Sequence, residues 1–203
     1  MSSEGTPGSI PTSASFLEKL KNEDPGPRNV AWEQFQKRYA PIIAGFARNM
    51  GARPQEIDDL VQDVMLNFFR GARSFTYDGG KGRFRGYLKT CTFHALHKRL
   101  GREAKFKTKP LDEVDPESPE VEETWNHIWQ QEQLRRALEA TREDYSGEKR
   151  KTFRAFELYA ILGKPVEQVA GELGISTDSV YQAKRRITHA LRAKVSEMDQ
   201  EDG

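Results

Sequence analysis

The sequence predicts an all-α fold, in which two small helical domains are joined by an acidic flexible linker and the second domain carries a carboxy-terminal helix-turn-helix. Apolar residues recur at helical spacing along most of the 203 residues, and no segment shows the strict alternation of a strand. The stretch from about residue 108 to 123 is acidic and contains prolines, so it is not expected to build a packed core. Near the carboxyl end, Gly174 separates two amphipathic helical patterns.

Each predicted element follows from a local pattern. Residues 1–13 are polar and rich in Ser, Gly and Pro, and are expected to be disordered. Helices are predicted over residues 14–22, 30–50, 54–70, 84–105, 125–144 and 149–162, followed by a helix-turn-helix over 166–194. The resulting domains are residues 14–107 and 125–197, with a linker over 108–124 and a frayed tail over 198–203.

Composition narrows the class of protein. The chain is 31% charged, has a formal net charge of +1, and contains neither a membrane-spanning apolar run nor a secretory signal, so we expect a cytoplasmic protein. Its one cysteine, Cys91, cannot form an intramolecular disulfide or a zinc cluster, and is predicted to be a small core residue. No metal or cofactor is expected.

The small net charge hides a strong segregation of charge along the chain. Between Arg70 and Lys109 there are twelve basic and two acidic residues, whereas residues 111–123 contain seven acidic residues and no basic one. Basic blocks are typical of polyanion binding, and acidic runs are typical of solvated linkers. The pattern therefore favours a protein that contacts nucleic acid through particular segments.

The helix-turn-helix pattern predicts contact with duplex DNA. Gly174 allows a left-handed turn, and either Ser176 or Thr177 can cap the second helix. The exposed face of that helix presents side chains that reach base edges or phosphates in the major groove. These candidates are Thr177, Ser179, Gln182, Arg185, Arg186 and His189. The alternative is an ordinary helical hairpin whose charged face is only solvated.

A compact acidic patch is predicted on the helix over residues 54–70. Asp59, Gln62 and Asp63 lie at positions i, i+3 and i+4, opposite the apolar stripe. A solubilising face would show the same pattern. Paired carboxylates also suit metal or acid–base chemistry, but no histidine or third acid joins them at ligand spacing.

The segment after this helix combines aromatic rings with positive charge, the combination that holds single-stranded nucleic acid. The candidates for such contacts are Tyr77, Lys81, Arg83, Arg85, Tyr87 and Lys89. Core packing is the competing interpretation of the aromatic and apolar residues, and it is the prediction for Phe84 and Leu88. Tyr77, beside an aspartate and two glycines, is a better candidate for exposure.

The order of these motifs resembles that of bacterial RNA polymerase sigma factors of the extracytoplasmic-function (ECF) group. It comprises an acidic DDLVQD helix, an aromatic and basic loop, the helix FRGYLKTCTFHALHKRLGRE, an acidic linker and a helix-turn-helix. The resemblance implies a subunit without catalytic activity that binds core RNA polymerase and promoter DNA. It leaves open whether an anti-sigma factor also binds.

The resemblance also implies roles for the three groups of candidates. The acidic patch would dock on the clamp helices of the largest polymerase subunit, where carboxylates can pair with arginines. The aromatic and basic group would capture a flipped base of the minus-ten element. The helix-turn-helix would read the minus-thirty-five duplex.

Two features and two competing functions qualify this interpretation. The chain has Phe93 and His94 where the family usually has an Arg-Asn pair, and Lys98 where it usually has Asp, so a different minus-ten preference is expected. The runner-up function is a stand-alone helix-turn-helix regulator that binds an operator as a dimer. A third is a helical nuclease or hydrolase that uses Asp58, Asp59 and Asp63.

Overall fold

The computed structural model describes residues 19–20, 24–72, 84–103 and 115–202, and the regular structure in these ranges is helical, as predicted. No helix in this part of the chain is long and apolar enough to cross a membrane. The helices are α1 (Pro25–Asn49), α2 (Pro54–Ala72), α3 (Phe84–Glu103), α4 (Pro119–Asp144), α5 (Arg150–Phe156), α6 (Val166–Leu173) and α7 (Thr177–Asp202). A short 3₁₀ turn, Gly147–Lys149, precedes α5, and a π-helical turn, Glu157–Ile161, follows it. Of the helix predicted over residues 14–22, only Lys19 and Leu20 are described.

The chain divides into two compact units, and the division differs from the predicted domain boundary. The first unit includes Met1–Gln130 and the second spans Gln131–Gln200. Helix α4 begins at Pro119, inside the range predicted as linker, and its first half belongs to the first unit. The expected linker over residues 108–124 is therefore corrected at residues 119–124, which are helical, and the predicted domain start at residue 125 lies within α4. Residues 108–114 lie outside the described residues.

Helices α1, α2 and α3 build an aromatic core in the first unit. Phe35 on α1 stacks on Phe68 of α2 with a centroid distance of 4.5 Å, and Phe84 of α3 meets both rings edge-on. Phe84 and Leu88 are buried, which confirms their predicted core role. Asp24 caps α1 by accepting a hydrogen bond from the Gly26 amide, and Pro25 occupies the first helical position, where no amide hydrogen is needed.

The first half of α4 completes this core. Trp125 meets Phe46 of α1 edge-on at 5.1 Å, and the Trp129 ring lies 6.1 Å from that of Tyr39. Gly45 lets the helices approach closely, since a Cβ there would lie only 2.9 Å from Ile128 Cγ2. The aromatic spacing in residues 125–129 predicted a buried helix face correctly, but periodicity does not reveal which core receives that face.

The second unit is organised around the turn between α6 and α7. Gly174 ends α6 with φ +62°, the left-handed conformation that the sequence predicted. Ser176, not Thr177, caps α7, because its Oγ accepts a hydrogen bond from the Ser179 amide at 3.1 Å. Val169 on α6 and Val180 on α7 are both fully buried in one apolar cluster with Leu158 of the π-helical turn.

Candidate protein and nucleic-acid interfaces

The predicted acidic patch is exposed on α2, and it has a partner within the chain. Arg99 of α3 donates from Nη2 to Asp59 Oδ2 at 2.7 Å and from Nη1 to Asp63 Oδ2 at 3.0 Å. The aspartate side chains remain 65% and 62% exposed, and Gln62 beside them is exposed as well. We call Asp59, Gln62 and Asp63, together with Arg99, the α2 acidic surface.

The spacing of the two carboxylates indicates which kind of group this surface binds. Two carboxylates one helical turn apart are spanned by a single guanidinium through its two terminal nitrogens, and each carboxylate uses only its Oδ2. Arg99 lies 36 and 40 residues from its partners along the chain. Sequence spacing alone therefore gave no signal that a basic residue would lie between the two acids.

The predicted strand-binding residues separate into three groups. Tyr77, Lys81 and Arg83 lie outside the described residues. Tyr87 is half-buried on α3, with its ring 6.2 Å from that of Phe68. Arg85 and Lys89, the third group, contact α4.

The expectation that Arg85 and Lys89 face a nucleic acid is contradicted by their surroundings. Lys89 is buried, and its ammonium pairs with the Glu122 carboxylate of α4. Arg85 donates a hydrogen bond to Asn126 Oδ1, and its guanidinium lies over the Trp129 ring at 5.1 Å from the centroid. Both cations therefore hold α4 against α3. Helix α4 covers a surface that the sequence predicted to be exposed to solvent.

Burial also changes the chemistry of Tyr87 and Cys91, which interact one turn apart on α3. Desolvation is the main cause that raises the pKa of Tyr87 to about 12, and a hydrogen bond to Cys91 adds to it. Burial also raises the pKa of the Cys91 thiol, although the hydrogen bond with Tyr87 opposes the shift. Cys91 was expected to be a core residue, but its side chain is only half-buried.

The α3 residues that were expected to change the minus-ten preference differ in burial. Phe93 is buried, with its ring 4.0 Å from that of His97, so it contributes to packing. His94 and Lys98 are exposed. Burial, followed by the nearby His94, lowers the pKa of His97.

Helix α7 presents most of its predicted DNA contacts to solvent. Arg185, Arg186 and His189 are exposed, and none has a carboxylate within ion-pair distance among the residues that the structure describes. Gln182 is exposed as well but donates to Asp178 Oδ2 at 2.6 Å, and the Ser179 hydroxyl is 2.8 Å from that of Ser176. Thr177 is exposed at the first helical position.

The structure adds four residues to this face that sequence reasoning did not select. An open groove along α7 is bordered by Tyr181, Lys184, Thr188 and Arg192 as well as by predicted candidates. Tyr181 was not among the predicted DNA contacts. It is exposed, one helical turn before Arg185.

A known family model matches the part of the chain that includes α2 and α3. Residues 35–106 match the family model described as sigma-70 region 2. The chain is 33% identical over 86 residues to proteins named "ECF RNA polymerase sigma factor SigM" from the Erdman and H37Rv strains of Mycobacterium tuberculosis. The alignment covers 42% of this chain and 42% of each relative, so the chain spans less than half the length of these curated relatives.

One solved structure aligns with most of the chain, although the similarity is low. It is "Structure of CnrH in complex with the cytosolic domain of CnrY", aligned over 93% of this chain and 97% of that chain. The identity is 18% and the TM-score is 0.35.

Proposed function

We propose that the chain is a sigma-70 family protein of the ECF group, which binds core RNA polymerase and directs transcription initiation at specific promoters. Its second unit anchors the complex on the minus-thirty-five duplex, while its first unit captures the opened minus-ten strand. The observation that carries the proposal is the sigma-70 region 2 match over residues 35–106, which includes both the acidic helix α2 and helix α3.

The α2 acidic surface is the proposed polymerase-docking site. Its support is the exposure of Asp59, Gln62 and Asp63 on one rigid helix, with the two carboxylates spaced to accept guanidinium groups. The bridge to Arg99 leaves one oxygen of each carboxylate unused by that residue. An arginine-bearing partner, such as the clamp helices of the largest polymerase subunit, can therefore share or displace Arg99.

Strand capture is proposed for the aromatic and basic loop that leads into α3. Tyr77, Lys81 and Arg83 supply stacking and positive charge, and the partly exposed Tyr87 continues the aromatic series. Base stacking contributes about 1–3 kcal/mol per base, which offsets much of the few kcal/mol needed to unstack a base. Arg85 and Lys89 are not part of the proposed contact, because both engage α4.

Duplex reading is proposed for α7, with α6 and α7 acting as a DNA-binding helix-turn-helix. Arg185, Arg186 and His189 support this role through exposure and through the absence of carboxylate partners in the described ranges. Two modest DNA contacts joined through the polymerase raise the effective concentration of each site for the other. Promoter preference should therefore appear in the complex with core polymerase.

Binding of core RNA polymerase to single variants tests the docking site. Asp63→Asn removes one carboxylate from the α2 acidic surface, and we expect the dissociation constant to rise about tenfold, equivalent to about 1.4 kcal/mol. Asp58→Asn is the matched control, because Asp58 is an exposed acid on the same helix and loses the same charge. Equal effects of Asp63→Asn and Asp58→Asn would mean that docking depends only on the net charge of the helix. Absence of binding by the wild-type chain would refute the proposed function. Tight operator binding as a dimer without polymerase would instead support a stand-alone regulator.

A further inference from the structure

The exposed aromatic residue of α7, Tyr181, is held in place by a second tyrosine. Tyr181 is 50% exposed, and the ring of Tyr159 meets it edge-on with a centroid distance of 5.6 Å and an interplanar angle of 86°. Such edge-to-face pairs are favoured over face-to-face stacking, so the orientation of the Tyr181 ring is restricted before any ligand binds. Lys184, one turn further along α7, places its ammonium 5.4 Å from the centroid of the Tyr159 ring.

The π-helical turn Glu157–Ile161 anchors Tyr159. Leu158, next to it, is fully buried, and Tyr159 itself packs against the same apolar cluster. Glu157 at the start of the turn pairs with Arg142 of α4 and with Arg154 of α5, the latter at 3.2 Å. Tyr159 is thus fixed from behind, while the outer edge of Tyr181 faces solvent.

Tyr181 lies where a recognition helix meets base edges. It is in the second turn of α7, which begins at Thr177, and exposed Arg185 follows it one turn later. The first turns of such a helix reach into the major groove, where thymine is the only base that presents an apolar group, its 5-methyl. The Tyr181 ring has a restricted orientation and basic neighbours. It is therefore suited to contact a thymine methyl group while the basic residues contact the flanking phosphates.

We propose that Tyr181 is a specificity-determining residue that contacts the methyl group of a thymine in the minus-thirty-five duplex, and that Tyr159 positions its ring. This inference rests on the proposed function, because it requires α7 to lie in the major groove. The neighbouring Tyr159, followed by burial and Glu167, raises the pKa of Tyr181.

Deoxyuridine substitution tests the contact directly. Duplexes that bind the full-length protein with core polymerase are first selected from a random library, and each thymine of the selected site is then replaced singly by deoxyuridine. The replacement preserves base pairing and removes only the methyl group. We expect one position at which the wild-type complex loses about fourfold in affinity, the factor equivalent to about 0.8 kcal/mol for one buried carbon group.

Variants assign that loss to the two tyrosines. Tyr181→Ala should bind the thymine and deoxyuridine duplexes equally, whereas Tyr181→Phe, which keeps the ring, should retain the fourfold difference. Tyr159→Ala should reduce the difference, and Leu162→Ala, an exposed change close to the same turn, should leave it intact.

One result would refute the proposed function, and the others would overturn only the inference about Tyr181. Selection of no duplex at all would refute the proposed function. A selected site whose methyl dependence persists in Tyr181→Ala, or is absent from the wild type, would overturn this inference alone. Loss of the methyl dependence in Tyr181→Phe would overturn it as well, because the aromatic ring would then not be sufficient for the contact.

Discussion

Lys89 on α3 and Glu122 on α4 form an ion pair in which the lysine side chain is only 9% exposed. The pair joins two elements that the sequence assigned to different parts of the protein. It also accounts for the loss of Lys89 from the predicted strand-binding group, because its ammonium already has an anionic partner.

Removal of Glu122 should destabilise the first unit. Glu122→Ala leaves the Lys89 ammonium without its partner, and we expect the free energy of unfolding to fall by about 1–3 kcal/mol. Urea unfolding followed by tryptophan fluorescence measures this selectively, since Trp32, Trp125 and Trp129 are the chain's only tryptophans and all lie in that unit. Glu123→Ala, an exposed change on the same helix, should shift the midpoint little. Equal shifts of the urea midpoint in Glu122→Ala and Glu123→Ala would mean that the ion pair with Lys89 does not contribute to stability.

The close approach of α1 and α4 makes Gly45 intolerant of a side chain. Gly→Ala inside a helix usually stabilises by about 0.5–1 kcal/mol, but here the added Cβ meets Ile128, and overpacking costs about 1–3 kcal/mol. Gly45→Ala should therefore lower stability in the same fluorescence measurement. Gly86→Ala on α3 is the control, because its Cβ would meet nothing within 4 Å and should not destabilise. Stabilisation by Gly45→Ala would show that α4 does not pack against α1 in this way.

The helices of the first unit could be predicted from their own sequences, but their neighbours could not. Leu60, Val64 and Phe68 repeat at helical spacing on α2, and all three are buried. Trp125 and Trp129 show equally clear spacing, yet they were placed in the second domain. A repeat identifies the buried face of a helix and carries no information about the surface that covers it.

The candidate sites show the same limit. The exposure of Asp59, Asp63 and Arg185 follows from their positions opposite apolar stripes, and the structure agrees. The bridge from Arg99 and the burial of Lys89 depend on contacts between residues 33 to 40 positions apart. Such contacts are set by tertiary packing, so a charged residue in a basic block was taken to be exposed.

Arg99 should weaken docking at the α2 acidic surface by occupying its carboxylates. Exposed ion pairs contribute about 0–1 kcal/mol, so their removal in Arg99→Ala should raise affinity for core polymerase by up to about fivefold at low salt. The gain should shrink as salt screens the interaction. Lys98→Ala removes the same charge from an exposed neighbour that lacks these contacts and is the control. Weaker binding of core polymerase by Arg99→Ala would contradict competition between Arg99 and the polymerase for the two carboxylates. It would indicate instead that Arg99 contributes to polymerase binding.

Cys91 should react slowly with thiol reagents. Burial raises the pKa of its thiol, so the thiolate fraction near pH 8 is smaller than for an ordinary cysteine. Because it is the only cysteine, the reaction with a disulfide reagent reports on this site alone. The rate should rise steeply above pH 9 and should increase in denaturant. A rate at pH 8 equal to that of the unfolded chain would contradict the burial of the thiol.

Run-off transcription with purified core RNA polymerase and fragmented genomic DNA tests the central claim most directly. The account predicts discrete transcripts that require the wild-type chain, decrease with Asp63→Asn, and share an upstream element whose recognition is relaxed by Arg185→Ala. Transcripts that are unchanged when the chain is omitted, or no transcripts at all despite active core enzyme, would contradict it.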